Sequence, residues 1–113
     1  MNERGREAES AAATFIERRG LRILERNWRC RFGEIDLIAR DGATLVFIEV
    51  RARSSRSHGG AAESISAAKR RKLIATAHQY LARSGLDTPC RFDALLLEPQ
   101  RDIEWIRDAF RAN

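Results

Sequence analysis

Two acids stand inside what otherwise reads as an apolar β-hairpin. Residues 34–40 are EIDLIAR, residues 44–53 are TLVFIEVRAR, and Asp41-Gly42 lies between them. Ile, Val and Phe suit the pleated surface of a sheet, and Asp-Gly is a strong hairpin signal. Asp36 interrupts Ile35 and Leu37, and Glu49 interrupts Ile48 and Val50. Acids are poor strand formers and costly to bury unpaired. A fold built on this hairpin must compensate both of them.

Side-chain alternation sorts the hairpin into two faces. Glu34, Asp36 and Ile38 share one face of the first strand, and Phe47, Glu49, Arg51 and Arg53 share one face of the second. The other face, Ile35, Leu37, Ala39, Val46, Ile48 and Val50, is apolar and expected to meet a helix. A two-residue turn at Asp41-Gly42 pairs Asp36 with Phe47 and leaves Glu49 diagonal. A four-residue loop at 41–44 pairs Asp36 with Glu49. Opposite and diagonal neighbours lie about 5–8 Å apart, so either register brings the acids together. Carboxylates at that spacing repel unless a cation sits between them. Mg²⁺ takes oxygen ligands and often uses only one or two carboxylates, with water and substrate phosphate completing its shell. Structural salt bridges to Arg51, Arg53 or Arg91 are the alternative that spacing leaves open.

The rest of the chain supplies the flanking layers. Residues 4–19 carry Ala8, Ala11, Ala12, Phe15 and Ile16 at helical spacing, and Gly20 stops the helix. Glu9 lies about 100° round the wheel from Ala8, at the edge of that stripe, where it could reach over a sheet. Residues 21–31 read as a strand, and 54–62 as a Ser- and Gly-containing loop. A second helix spans about 63–83. Residues 90–98 form a further strand, followed by a short strand near Ile103–Ile106 and a tail ending at Phe110. The 113 residues form one domain with one core. The expected class is α/β, a mixed central sheet flanked by helices in the order αβββαβ, with a parallel crossover through the second helix.

Charge narrows the function. There are 21 basic and 16 acidic residues, and every basic one except Lys69 and Lys72 is Arg. Six Arg against one acid occupy residues 18–31, and seven basic residues against one acid occupy 51–72. Such clusters suit a polyanion, nucleic acid most simply, with a solvated charged surface as the alternative. Arg29, Arg31, Arg53, Arg56, Lys69, Arg70 and Lys72 are the candidate backbone contacts. No run approaches the roughly 20 apolar residues of a membrane helix. The charged N-terminus lacks an apolar signal region, so a cytoplasmic protein without membrane contact is expected.

Cys30 and Cys90 make no zinc site and are read as small packing residues. His58 and His78 read as surface residues, and Trp28 and Trp105 as packing. Asp93 is expected to pair with Arg91 or to bond the hairpin.

GEIDLIARDG, LVFIEVRAR, AAKRRKL, CRFDALLL and the terminal DAF closely resemble the YraN family, from Gly5 to Phe110. These bacterial endonuclease-like proteins are placed in the PD-(D/E)xK nuclease superfamily, with a restriction-endonuclease-like fold similar in outline to archaeal Holliday junction resolvases. The resemblance implies a Mg²⁺- or Mn²⁺-dependent endonuclease hydrolysing DNA phosphodiester bonds, branched or repair intermediates included. It matches Asp36 to the metal-binding aspartate, Glu49 to the acid of (D/E)xK, and Glu9 to a first-helix acid. The Val50 carbonyl becomes a further ligand. Arg51 stands at the lysine position. An arginine stays protonated and can stabilise developing charge but cannot act as a base. Lys69 or Lys72 could supply a displaced lysine. A nucleic-acid-binding module without catalysis and a scaffold binding an acidic protein remain open as alternatives. A homodimer is suggested by analogy with resolvases.

Overall fold

The computed structural model describes residues 3–52 and 65–112. Helix α1, Glu3–Arg18, precedes three strands, β1 at Arg22–Cys30, β2 at Gly33–Asp41 and β3 at Thr44–Ala52. Helix α2, Ala67–Ser84, then leads to β4 at Cys90–Leu97 and β5 at Glu104–Phe110. The strands form one sheet in the order β1-β2-β3-β4-β5. All neighbours are antiparallel except β3 and β4, which are parallel and joined by the α2 crossover. The expected αβββαβ order with a final strand is therefore present. The second helix begins at Ala67 rather than near 63, because Ser66 caps it by accepting from the Lys69 N–H at 3.1 Å. Gly85, at φ 67°, ends it in the left-handed conformation that glycine adopts at least cost. The loop read at 54–62 lies outside the described residues, and so do Arg53, Arg56 and His58.

Each face of the sheet buries its own core. Ala12, Ala13 and Ile16 of α1 pack on Leu37, Ala39, Val46, Ile48 and Leu95. Leu73, Ala77 and Tyr80 of α2 pack on Ile35, Ile38, Leu45, Phe47, Phe92 and Leu96. An aromatic chain crosses this second core. Phe110 stacks on Phe92 at 4.7 Å, Phe92 on Phe47 at 5.4 Å, and Tyr80 meets both Phe47 and Trp28 edge-on. Such pairs add about 0.5–1.5 kcal/mol each beyond the area they bury. Trp28 is thus a packing residue, also covered by Arg83 at 5.5 Å, and His78 is exposed.

Two sequence expectations need correction. Alternation puts Ile35 on the Leu37 face, but it packs with Ile38 and Phe47 on the α2 side. The β2–β3 ladder ends at Leu37↔Ile48, and the Val50 N–H goes to Asp36 Oδ2 at 2.8 Å. The side chain of Asp36 replaces a main-chain acceptor here, so the alternation breaks at this residue. Second, the cysteines are not core residues. Cys90 is exposed and Cys30 half-buried at their strand ends, where Cys30 Sγ accepts the Phe32 N–H at 3.4 Å.

The last strand is longer than the short run expected near Ile103–Ile106, and Asp93 explains why. Asp93 is fully buried. It accepts from Arg91 Nε at 3.0 and 3.1 Å, from Trp105 Nε1 at 2.9 Å and from the Asp108 N–H at 2.9 Å. Asp108 sits at φ 53°, in a register irregularity of the β4–β5 pair. The Asp93 carboxylate satisfies the amide that this irregularity would strand, and β5 continues to Phe110. Of the two expectations for Asp93, the pair with Arg91 is the one made, and it is Arg91 that reaches the hairpin turn, at Asp41, 3.0 Å away.

Removing one member of a buried, hydrogen-bonded ion pair costs about 3–5 kcal/mol. Asp93→Ala should therefore lower the unfolding free energy by an amount of that order, seen as a lower urea midpoint at unchanged m-value and read by circular dichroism. A loss below about 1 kcal/mol would show that the network is dispensable.

Candidate metal and nucleic-acid site

The turn Asp41↔Thr44 sets the register by which β2 and β3 place Asp36 across from Glu49. This is the second of the two registers the sequence allowed. On the other side, the pairs Arg26↔Leu37 and Trp28↔Ile35 bracket Asn27 opposite Asp36. Asn27 has φ 52°, which Asn tolerates better than most residues. Asn27, Asp36 and Glu49 thus form one row across three strands at the place where regular pairing gives way. Nothing in the sequence beyond an Asn inside a strand signals Asn27.

Glu49 is only 6% exposed, and Asp36 hydrogen-bonds it. Burial raises the Asp36 pKa most, followed by the Glu49 hydrogen bond and charge. The Val50 hydrogen bond opposes them, and the Glu9 charge adds to the rise, leaving Asp36 pushed up from 3.8 to about 9. Asp36 therefore carries a proton at neutral pH in the metal-free chain. Lys69 Nζ lies 3.2 Å from Glu49 Oε2. That oxygen is buried and accepts no hydrogen bond among the described residues, so the ammonium neutralises it without satisfying its directional preference.

Above this pair opens a cleft of about 490 Å³ lined by Glu9, Arg29, Gly33, Glu34, Asp36, Lys69, Lys72 and Leu73. Glu9 comes from α1 as its wheel position suggested. Carboxylate oxygens of Glu9, Glu34 and Asp36 all lie within 4.8 Å of one another. Glu34 was not among the residues the sequence singled out as metal ligands. Its position two residues before Asp36 was the available signal, since residues i and i+2 share a strand face. Arg29 holds Glu34 at 2.8 Å. Gly33 is needed where β2 enters the cleft. Its φ of 152° is one that L side chains rarely adopt, and a Cβ there would come within 3.2 Å of Thr76 Oγ1 on α2.

The basic candidates divide. Arg29, Lys69 and Lys72 line the cleft. Arg31 is exposed in the β1–β2 turn, 4.8 Å above the Phe32 ring. Arg70 is turned elsewhere, donating to the Ile65 carbonyl at 3.1 Å and lying 5.7 Å from the Phe110 ring. Arg51 is half-buried and forms no ion pair among the described residues. The salt bridges proposed as an alternative use of the two acids do not involve Arg51 or Arg91. Glu49 takes Lys69 instead, and Arg91 takes Asp41 and Asp93.

A divalent cation suits these residues. A buried carboxylate oxygen without a hydrogen bond adjoins a carboxyl kept protonated first by burial and then by its acidic neighbours, and two further carboxylates stand within reach. All of these are hard oxygen donors.

One helix on each face of a mixed five-stranded sheet, with acids from α1, β2 and β3 gathered at one end, defines an α/β domain of the restriction-endonuclease-like type. Comparison with known proteins narrows this. Residues 8–97 match the model of a family described as Uncharacterised protein family UPF0102. A UPF0102 protein of Methylobacillus flagellatus is 56% identical over 115 residues, which cover 99% of this chain and all of its own. A Nitrosomonas europaea UPF0102 protein is 57% identical over 109 residues, 95% of this chain and 92% of its own. One from Dechloromonas aromatica is 54% identical over 110 residues, 97% and 90% respectively. The chain belongs to this family, the YraN endonuclease-like family. No helix among the described residues is long and apolar enough to cross a membrane.

The raised Asp36 pKa fixes the sign of a pH dependence. Between pH 3.8 and about 9 the folded, metal-free chain holds a proton that the unfolded chain releases. Stability contributed by this group falls as pH rises through that interval, at up to about 1.4 kcal/mol per pH unit. Thermal unfolding in EDTA should show the wild-type melting temperature dropping from pH 6 to pH 9. Asp36→Asn should flatten the drop. Parallel slopes would place the proton elsewhere.

Proposed function

We propose that the chain is a nuclease dependent on Mg²⁺ or Mn²⁺ that hydrolyses phosphodiester bonds in DNA. One observation carries this reading: the half-buried Asp36 lines a cleft with Arg29, Lys69 and Lys72 and hydrogen-bonds the buried Glu49, one of whose oxygens lacks a hydrogen bond. Buried acids that serve only stability are fully satisfied, as Asp93 is. Glu49 is not, and its partner Asp36 lies where phosphate-attracting side chains converge.

In this reading Asp36 and Glu49 hold the cation, with Glu9 and Glu34 as the further carboxylates. A bound divalent ion polarises a phosphoryl oxygen and lowers the pKa of bound water. The Val50 N–H orients Asp36 through its 2.8 Å hydrogen bond, and Arg29 orients Glu34 in the same way. Lys72 and the exposed Arg31 attract the nucleic-acid backbone. Arg51, two residues beyond Glu49, would meet negative charge rather than take a proton, since an arginine stays protonated. DNA cut within branched or repair structures, and a homodimer presenting two such clefts, extend the reading. Arg53 and Arg56, outside the described residues, belong to the same basic stretch of sequence.

The test is cleavage of labelled linear duplex, single-stranded and four-way-junction DNA with Mn²⁺ or Mg²⁺ and with EDTA. Outer partners of metal ligands already cost 10- to 100-fold on mutation, so Asp36→Asn and Glu49→Gln should each reduce cutting by more than about 100-fold. Cutting that survives in both variants, or in EDTA, would overturn the reading. Salt-sensitive binding without cutting would instead favour a binding module that keeps the fold.

Phosphate contacts give binding a steep salt dependence, each worth about 0.9 in the slope of log K against log salt on duplex DNA. Lys72→Ala should reduce that slope by about one in fluorescence-anisotropy titrations in EDTA. Arg70→Ala, whose side chain is held against Ile65 and Phe110, should change the slope little.

A further inference from the structure

The first turn of α2 is electrostatically out of place. Helix N-termini favour acids because their unpaired N–H groups carry partial positive charge. The first turn of α2 contains no acid, and the sequence from Ala67 reads AAKRRK. The Lys69 amide is tied to Ser66 Oγ at 3.1 Å, so the root of the side chain is fixed while its ammonium stands near the positive end of its own helix. The anion that balances it comes from the sheet: Glu49, 93% buried at its side chain, 3.2 Å away. Lys72 lines the same cleft and forms no ion pair among the described residues. Arg51 lies nearer Glu49 in sequence and does not pair with it. Lys69 is the ammonium that touches the acid pair.

Its contact is of a particular kind. Glu49 Oε2 is neutralised but accepts no hydrogen bond from it, and the Lys69 side chain is 43% exposed. A half-exposed ammonium on a four-carbon stem exchanges partners at little steric cost. A divalent cation competing for Glu49 has twice its charge. Lys69 therefore occupies the position of a tethered, displaceable counter-ion.

We propose that Lys69 is a built-in stand-in for the divalent ion: it neutralises Glu49 in the metal-free chain, yields that carboxylate when an ion binds, and then presents its ammonium to a phosphate in the same cleft. The last step rests on the nuclease reading above; the first two do not. The cleft is thereby kept from accumulating uncompensated negative charge before metal arrives. Ion binding is coupled to the appearance of a free cation where phosphate must sit. Lys69 contacts substrate in the final state only, so its two roles separate experimentally.

The experiment uses the full chain with Lys69→Met, which keeps the stem and removes the charge, beside Lys69→Arg and Lys72→Met. Mn²⁺ affinity is measured without nucleic acid, by calorimetry and by the metal-induced rise in melting temperature. Lys69→Met should lower the metal-free melting temperature and bind Mn²⁺ about tenfold more tightly, because the competing ammonium is gone, an effect of the size expected for a partly exposed ion pair. Lys69→Arg should stay within about threefold of wild type, and Lys72→Met, which removes a cleft charge that pairs with no acid among the described residues, should tighten Mn²⁺ binding clearly less than Lys69→Met does. Affinity for a DNA duplex is then compared with and without Ca²⁺. The ion should strengthen wild-type binding several-fold more than it strengthens that of Lys69→Met. Mn²⁺ affinity that is unchanged or weaker in Lys69→Met overturns the stand-in role. Equal Ca²⁺ enhancement in both proteins overturns the phosphate role. Because neither measurement requires cutting, an inactive wild type would sink the nuclease reading without touching this result. Loss of cutting in Asp36→Asn with unchanged Mn²⁺ affinity in Lys69→Met would do the reverse.

Discussion

A sheet can hold a carboxylate in its interior only by finding donors or a cation for it, and this fold is organised around two solutions to that constraint. Asp93 receives a guanidinium, an indole N–H and a backbone N–H within 3.1 Å. Every donor comes from β4 or β5, so the carboxylate acts as a pin that carries β5 across its irregularity at Asp108. Asp36 and Glu49 receive much less: one backbone N–H, one another, and an ammonium lacking hydrogen-bond geometry. The first arrangement is complete and stabilises. The second leaves a Glu49 oxygen without a hydrogen bond in a place where the protein could have used apolar side chains.

The incompleteness has a visible effect on the backbone. Where Asp36 takes the Val50 N–H on its side chain, the β2–β3 ladder stops, Ile35 changes face, and Asn27 in the adjoining strand enters the left-handed region. The β2–β3 pairing ends at this row, while β1–β2 keeps its register on either side of it and β3 stays paired with β4. Regular pairing on either side, with apolar cores on both faces, holds that row in place. Gly33 adds the last condition, since the close approach of Thr76 and Lys72 brings α2 to the mouth of the cleft. The cleft is thus a consequence of local departures from sheet geometry that the surrounding sheet is rigid enough to tolerate.

Legibility from sequence followed the physical origin of each feature. Elements set by periodicity were readable: two amphipathic helices, the hairpin, the parallel crossover and a mixed sheet. The convergence of Asp36 and Glu49 was readable too, because strand alternation fixes it for either turn length. So was Glu9, from its place on the helical wheel. What escaped was set by tertiary contact. Ile35 looked like a Leu37-face residue because alternation assumes an unbroken ladder. Lys69 could be marked as a basic helix residue, but its contact with Glu49 depends on where the crossover lands. Beta5 looked short because the alternation of RDAF fails at Asp108, and only the buried Asp93 explains how the strand continues. Arg70 and Lys72 were indistinguishable in a basic run. Helical geometry directs one to Ile65 and Phe110 and the other to the cleft.

The position of the site within the topology follows from the same architecture. In α/β sheets, ligands collect beyond the carboxyl ends of parallel strands, where crossover helices begin and loops diverge. Here β3 and β4 form the parallel pair, Glu49 lies near the carboxyl end of β3, and the crossover leads into the first turn of α2. That turn would ordinarily offer an anion site through its free N–H groups. Ser66 already satisfies the Lys69 amide, and the Lys69 ammonium projects positive charge further into the cleft. The antiparallel strand β2 then contributes Glu34 and Asp36 from its amino-terminal end, which lies beside the carboxyl end of β3. Reversing that one pairing direction would send the β2 acids to the opposite end of the sheet, away from both Glu49 and Lys69. The antiparallel hairpin and the parallel crossover are therefore both required: the first brings acids together, and the second sets the cation over them.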